Sequence, residues 1–132
     1  MRARLFLALA SIAVLTTCAH TDANQRNVSN PCSVGHGNGD KTAPIVCIDA
    51  VTLAANPDPV TVKGGAWVHF FINNDTGDLD IVVPSGTPLH HKGHSSAHYW
   101  AQAQNGKSAQ VKYTIKERSS GRENDPTIII EP

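Results

Sequence analysis

Residues 109–116 read Ala-Gln-Val-Lys-Tyr-Thr-Ile-Lys. Val111, Tyr113 and Ile115 fall on one side, and Gln110, Lys112, Thr114 and Lys116 on the other. A period of two marks a strand with one buried face, because successive side chains of an extended chain point to opposite faces. Related patterns recur upstream. Val60 and Val62 alternate with Thr61 and Lys63, and Leu79 to Val83 forms a shorter apolar strand. Ala66 to Ile72 is too continuously apolar to be exposed on both faces, which predicts a strand at the centre of a sheet. A β-branched run from Ile45 to Leu53 precedes these, and Thr127 to Ile130 supplies the last strand. Pro57-Asp58-Pro59, Gly64-Gly65, Asn73 to Asp78 and Pro84-Ser85-Gly86-Thr87-Pro88 read as turns, with a long loop expected after the last of them. No amphipathic helix longer than ten residues appears outside the N-terminal segment. The prediction is an all-β protein, an antiparallel β-sandwich of about six to eight strands.

The N-terminal segment has a different character. Arg2 and Arg4 precede an apolar run of eleven residues, Leu5 to Leu15, which is too short to span a bilayer and reads as an export signal. Leu15-Thr16-Thr17-Cys18 resembles the bacterial lipobox, in which cleavage precedes a lipid-modified cysteine. That resemblance implies a signal peptide over 1–17, lipidation of Cys18, and a protein held at a bacterial membrane in the periplasm or cell envelope. The family prefers Gly, Ala or Ser where Thr17 stands, so cleavage after Ala19 or Ala23 is the rival. Residues 18–30 are polar and without hydrophobic period, as in a flexible tether, and 31–132 is the length of one domain.

The remaining cysteines, Cys32 and Cys47, form an even pair, and export makes one disulfide the natural reading. Closing the fourteen-residue loop between them stabilises a fold by about 3 kcal/mol in the chain-entropy account. Two free buried thiols are the alternative, and the spacing is too long for chelation by neighbouring thiolates. Eleven Lys and Arg balance eleven Asp and Glu, so the sequence carries no nucleic-acid footprint.

Pro59-Val60-Thr61-Val62, then Gly64-Gly65 leading into Trp67 to Asn74, then Tyr113-Thr114-Ile115 and a short β-rich terminus resemble the cupredoxin-like β-sandwich over residues 45–130. The chain is more closely similar to small exported bacterial proteins of that type ending in Asp-Pro-Thr-Ile-Ile, here Asp125 to Ile129. The resemblance implies the fold without blue copper. Type 1 copper needs two imidazoles, a thiolate and a weak axial sulfur. Leu79 stands where the first histidine is expected, no cysteine follows Cys47, and the only methionine is Met1, lost with the signal peptide.

Four of the seven histidines, His90, His91, His94 and His98, lie within nine residues. Neutral imidazole binds Cu(II), Zn(II) and Ni(II), which makes these four the candidate metal ligands, with His36 and His69 able to contribute only through the fold. A helix would stack His90, His94 and His98 on one face, whereas a strand at about 3.3 Å per residue would hold His90 and His94 too far apart to share an ion. Gly93, Ser95 and Ser96 disfavour the helix, and a folded loop is expected, with exposed unliganded histidines as the plain alternative. His69, on the expected central strand, reads as a core or sheet-face residue. Lys92, Tyr99 and Trp100 are candidates for a binding surface, although Tyr99 and Trp100 could equally anchor the loop to the core. Residues 81–116 carry four lysines and no acid, a basic segment whose histidines could strengthen its hold on an anionic envelope partner in acid.

No nucleophile signature, nucleophile elbow or phosphate loop appears. The expectation is therefore a non-enzymatic envelope module binding an unidentified partner. The alternatives are a periplasmic metal-binding protein using the histidine segment and, more distantly, a periplasmic enzyme.

Overall fold

The computed structural model describes Cys32, Asn38 and residues 40–132. The expected signal peptide over 1–17, Cys18 and the expected tether over 18–30 lie outside the described residues. Eleven strands are found among the described residues, above the expected six to eight because two are two-residue pieces and one alternating segment is divided in two. They are β1 (Ile45–Asp49), β2 (Ala55–Asn56), β3 (Val60–Lys63), β4 (Trp67–Asn73), β5 (Leu79–Val82), β6 (Leu89–Ser95), β7 (His98–Ala103), β8 (Ala109–Lys112), β9 (Thr114–Glu117), β10 (Glu123–Asn124) and β11 (Thr127–Glu131).

One layer is a five-stranded sheet in the order β2-β1-β4-β7-β6. The other layer is two three-stranded pieces, β10-β9-β5 and β3-β11-β8, that share one hairpin. Thr127 pairs with Lys112, and Asn124 with Ile115, in a single register. Tyr113 N–H donates to the Pro126 carbonyl at 3.1 Å across the interruption. β8 and β9 are thus two halves of the alternating segment 109–117, with β5 flanking one half and β3 reached through β11 on the other.

Alternation sets which residues enter the core. Val46, Ile48, Val68, Phe70, Ile72, Tyr99, Ala101 and Ala103 come from the first sheet, and Val60, Val62, Leu79, Ile81, Val111, Tyr113, Ile115, Ile128 and Ile130 from the second layer. Together they form one buried cluster between the layers, which makes this a β-sandwich.

Three expectations need amendment. The sandwich is mixed, because β1 pairs with β4, and β3 with β11, in parallel. Alternation reports which face a residue occupies but not the direction of its neighbour, and a parallel pair requires a crossover. Here the chain leaves the first sheet after β2, passes Pro57-Asp58-Pro59 and enters the second layer as β3, with Asp58 Oδ1 accepting from Thr127 N–H at 2.9 Å. The Ile45 to Leu53 run stops early as a strand, because Asp49 accepts from the Val51 and Thr52 amides and closes a turn with Leu53 at φ 60°. Finally, the loop expected after Pro88 is the β6–β7 hairpin, at the edge of the five-stranded sheet.

Candidate functional site

The five-stranded sheet turns its even-numbered β1 and β4 residues to the core, leaving Ile45, Cys47, Trp67, His69 and Phe71 on the outer face. Opposite parity in β7 leaves His98, Trp100 and Gln102 there too. The registers order these into rows: Ile45 beside His69 beside Trp100 beside Gly93, and Cys47 beside Phe71 beside His98 beside Ser95. Trp67 beside Gln102 beside His90 makes a third row. The Cys32–Cys47 disulfide, with Cα atoms 5.6 Å apart, packs on Phe71 and Ile45 as a second small cluster on this face. The expected disulfide is therefore present, and it floors one end of the aromatic patch.

His69 and His98 are diagonal neighbours across β4 and β7, the separation at which large side chains meet. His69 Nδ1 and His98 Nε2 lie 3.0 Å apart, so one ring donates its N–H and the other accepts. His98 lies flat on Phe71, with centroids 4.2 Å apart and planes 3° apart, and it meets Trp100 at 5.0 Å. Trp100 in turn covers Gly93, where a Cβ would sit 2.6 Å from Trp100 Cζ2. Burial lowers the pKa of His69, and burial, followed by the neighbouring His69, lowers that of His98 to about 4. Both rings are consequently neutral at pH 7, with lone pairs available.

The four histidines of the 90–98 segment do not converge. They lie on two strands of a hairpin rather than on a helix or folded loop, and a bulge between His91 and Gly93 inserts Lys92 as an extra residue. The insertion reverses the alternation, so His90 pairs opposite the outward Gln102 whereas His94 pairs opposite the inward Tyr99. His91 and His94 stack at 6.0 Å, and His94 lies 5.0 Å from the Tyr99 ring. The partner of His98 is instead His69, which the sequence placed only as a core or sheet-face residue. Among the described residues no group of three or more His, Cys, Asp or Glu side chains is placed to hold one ion. His36 lies outside the described residues.

The candidate surface of Lys92, Tyr99 and Trp100 is also divided. Tyr99 is buried, and its hydroxyl donates to the Leu79 carbonyl at 3.1 Å, so it anchors the hairpin. Trp100 is half-buried on the outer face, and Lys92 is exposed at the bulge. On the other side of the hairpin, His94, Tyr99, Asp75, Asp80 and Arg118 line a cleft of about 440 Å³. Arg118 faces Asp80 at 3.4 Å and donates to the Gly77 carbonyl, which ties up the cleft's cation within the protein. Hydroxyls near ionisable groups tie loops in the same way, Ser119 to Asp78 and Ser120 to Glu117.

No protein-family model matches the chain, and no curated protein shows a significant match. Among solved structures, the chain is similar to the cysteine protease inhibitor EhICP2 from Entamoeba histolytica at 10% identity, covering 67% of this chain and 96% of that one, with a TM-score of 0.39. It is also similar to Amebosin at 10% identity, covering 66% of this chain and 95% of that one, with a TM-score of 0.31.

Proposed function

We propose that this is a non-enzymatic binding module of the bacterial cell envelope, built on a cupredoxin-like sandwich, exported and lipid-anchored through Cys18, and that its ligand docks on the outer face of the five-stranded sheet. One observation carries the reading: Trp67, His69, Phe71, His98 and Trp100 form a contiguous aromatic and imidazole patch on the face turned away from the core. The core between the two layers is complete without them, and Phe71 alone among them is buried, against the disulfide. An ordinary solvated sheet face alternates polar residues outward, so the half-exposed rings of Trp67, His69, His98 and Trp100 there are surplus to the core and suited to recognition. The disulfide and the Phe71–His98 stack hold the patch rigid, which lowers the entropic cost of binding.

Both tryptophans of the chain lie on this face, so intrinsic fluorescence reports on it alone. Tryptophan emission is to be titrated with solubilised peptidoglycan fragments, anionic phospholipid vesicles and divalent metal ions. The reading predicts a saturable change with at least one of these, which is reduced when His69 and His98 are both replaced by alanine, a variant that keeps both tryptophans. Absence of a response to all three, or a response that the double variant leaves intact, overturns it.

A further inference from the structure

The binding-face reading leaves the ligand's chemistry open, and the inference below rests on it for the location of the site. From the geometry of the imidazole pair we infer that His69 Nδ1 and His98 Nε2 together bind a divalent late transition ion, Cu(II) ahead of Zn(II). The site takes only His98 from the 90–98 histidine segment, whose members point to different faces.

Imidazole nitrogens sit about 2.0–2.1 Å from such ions, so two of them 3.0 Å apart can share an ion at an angle of about 94°. That is the angle between adjacent ligands of a tetragonal site, the geometry of Cu(II) and Ni(II), whereas a tetrahedral Zn(II) site asks for about 3.3 Å between the nitrogens. Intrinsic affinity favours Cu(II) over Zn(II) as well.

In the free protein the rings face each other nearly head-on, with centroids 5.2 Å apart, so they tilt for both lone pairs to meet the shared ion. His69 stands on the central strand between β1 and β7, and His98 is clamped between Phe71 and Trp100. Their half-exposed position leaves room for water to complete the coordination shell. The proton balance is simple. In the free protein one ring donates an N–H to the other, and on binding that ring moves its proton, through solvent, to its second nitrogen. Both facing lone pairs then go to the ion and no net proton is released. Neither second nitrogen, His69 Nε2 nor His98 Nδ1, hydrogen-bonds elsewhere among the described residues, so each is able to carry the proton.

The test is calorimetric titration of the full-length protein, carrying no affinity tag, with Cu(II) and Zn(II), joined to electron paramagnetic resonance of the copper complex. One Cu(II) site of micromolar affinity is expected, with Zn(II) weaker by about tenfold or more and a spectrum showing two coordinated imidazoles. His98→Ala and, separately, His69→Gln each weaken Cu(II) by about tenfold or more, while the triple replacement of His90, His91 and His94 by alanine leaves it within about threefold. The Gln variant keeps a hydrogen-bonding side chain on β4, and circular dichroism identifies any variant that has lost its fold. Absence of stoichiometric Cu(II) binding, or binding abolished only by the triple variant, overturns the inference. If copper fails while peptidoglycan fragments or vesicles still shift the tryptophan emission, the binding-face reading stands and only the ion is wrong; silence from all of them removes both.

Discussion

Tyr113 places a hydroxyl in the middle of the core. Its ring is completely buried, 5.0 Å from Phe70, and the oxygen has no hydrogen-bond partner among the described residues. Burial, with Asp58 adding to it, pushes the hydroxyl's pKa far above its ordinary value. A buried polar atom without a partner costs about 1–3 kcal/mol. Tyr113→Phe is therefore expected to leave stability unchanged or raise it by about 1 kcal/mol in urea denaturation, and a loss larger than that would show that the hydroxyl has a partner.

His98 makes a prediction of the opposite kind. The unfolded chain takes up its proton near 6.5, whereas the folded protein resists it down to about 4. Stability from the neutral ring is fully present above pH 6.5 and is lost as pH falls towards 4. His69 shifts in the same direction. The urea midpoint of the wild type should thus fall across that window, and His98→Gln should flatten the fall; equal slopes would contradict the assignment. None of this was legible in the sequence. The dense run of imidazoles from His90 to His98 drew attention to the right residue, but the partner of His98 lies 29 positions away, and only the β4–β7 register brings the two together.

Among the elements, the strands with regular alternation or unbroken apolar runs were readable, as 60–63, 66–72, 79–83, 109–116 and 127–130 show. The β6–β7 hairpin was not readable, because its inward positions carry few large apolar residues. Leu89 is the only one in β6, and two of the three in β7 are Ala101 and Ala103. Burial there arises from position under the second layer and not from side-chain size. The bulge at Lys92 conceals the rest, since it breaks the period that a strand would otherwise show. The hairpin depends on Gly93, whose missing side chain lets the Trp100 indole lie against the backbone. Gly93→Ala is expected to displace that ring, shift tryptophan emission and lower stability by about 1–3 kcal/mol; an unchanged spectrum and stability would show that Trp100 has room to spare.

At the scale of the whole molecule, the all-β sandwich follows from turn-separated strands, whereas the mixed strand directions do not. The crossover that makes β1 and β4 parallel neighbours is a property of the path between layers. The disulfide was readable once export was inferred, and its placement shows a second use. Cys47 is the neighbour of Phe71, so the bond joins the N-terminal end of the domain to the outer face that carries the imidazole pair. Reduction should lower global stability by about 3 kcal/mol in urea denaturation, whereas an unchanged midpoint would mean that the loop is held closed by other contacts.

The central claim is that the imidazole pair on this outer face binds Cu(II), and an amide-resolved NMR titration with that ion tests it most directly. The account predicts paramagnetic broadening centred on His69, Phe71, His98 and Trp100, with Asp80 and Arg118 on the opposite side of the hairpin spared. Broadening centred on His91 and His94, or none at one equivalent of the ion, would contradict it.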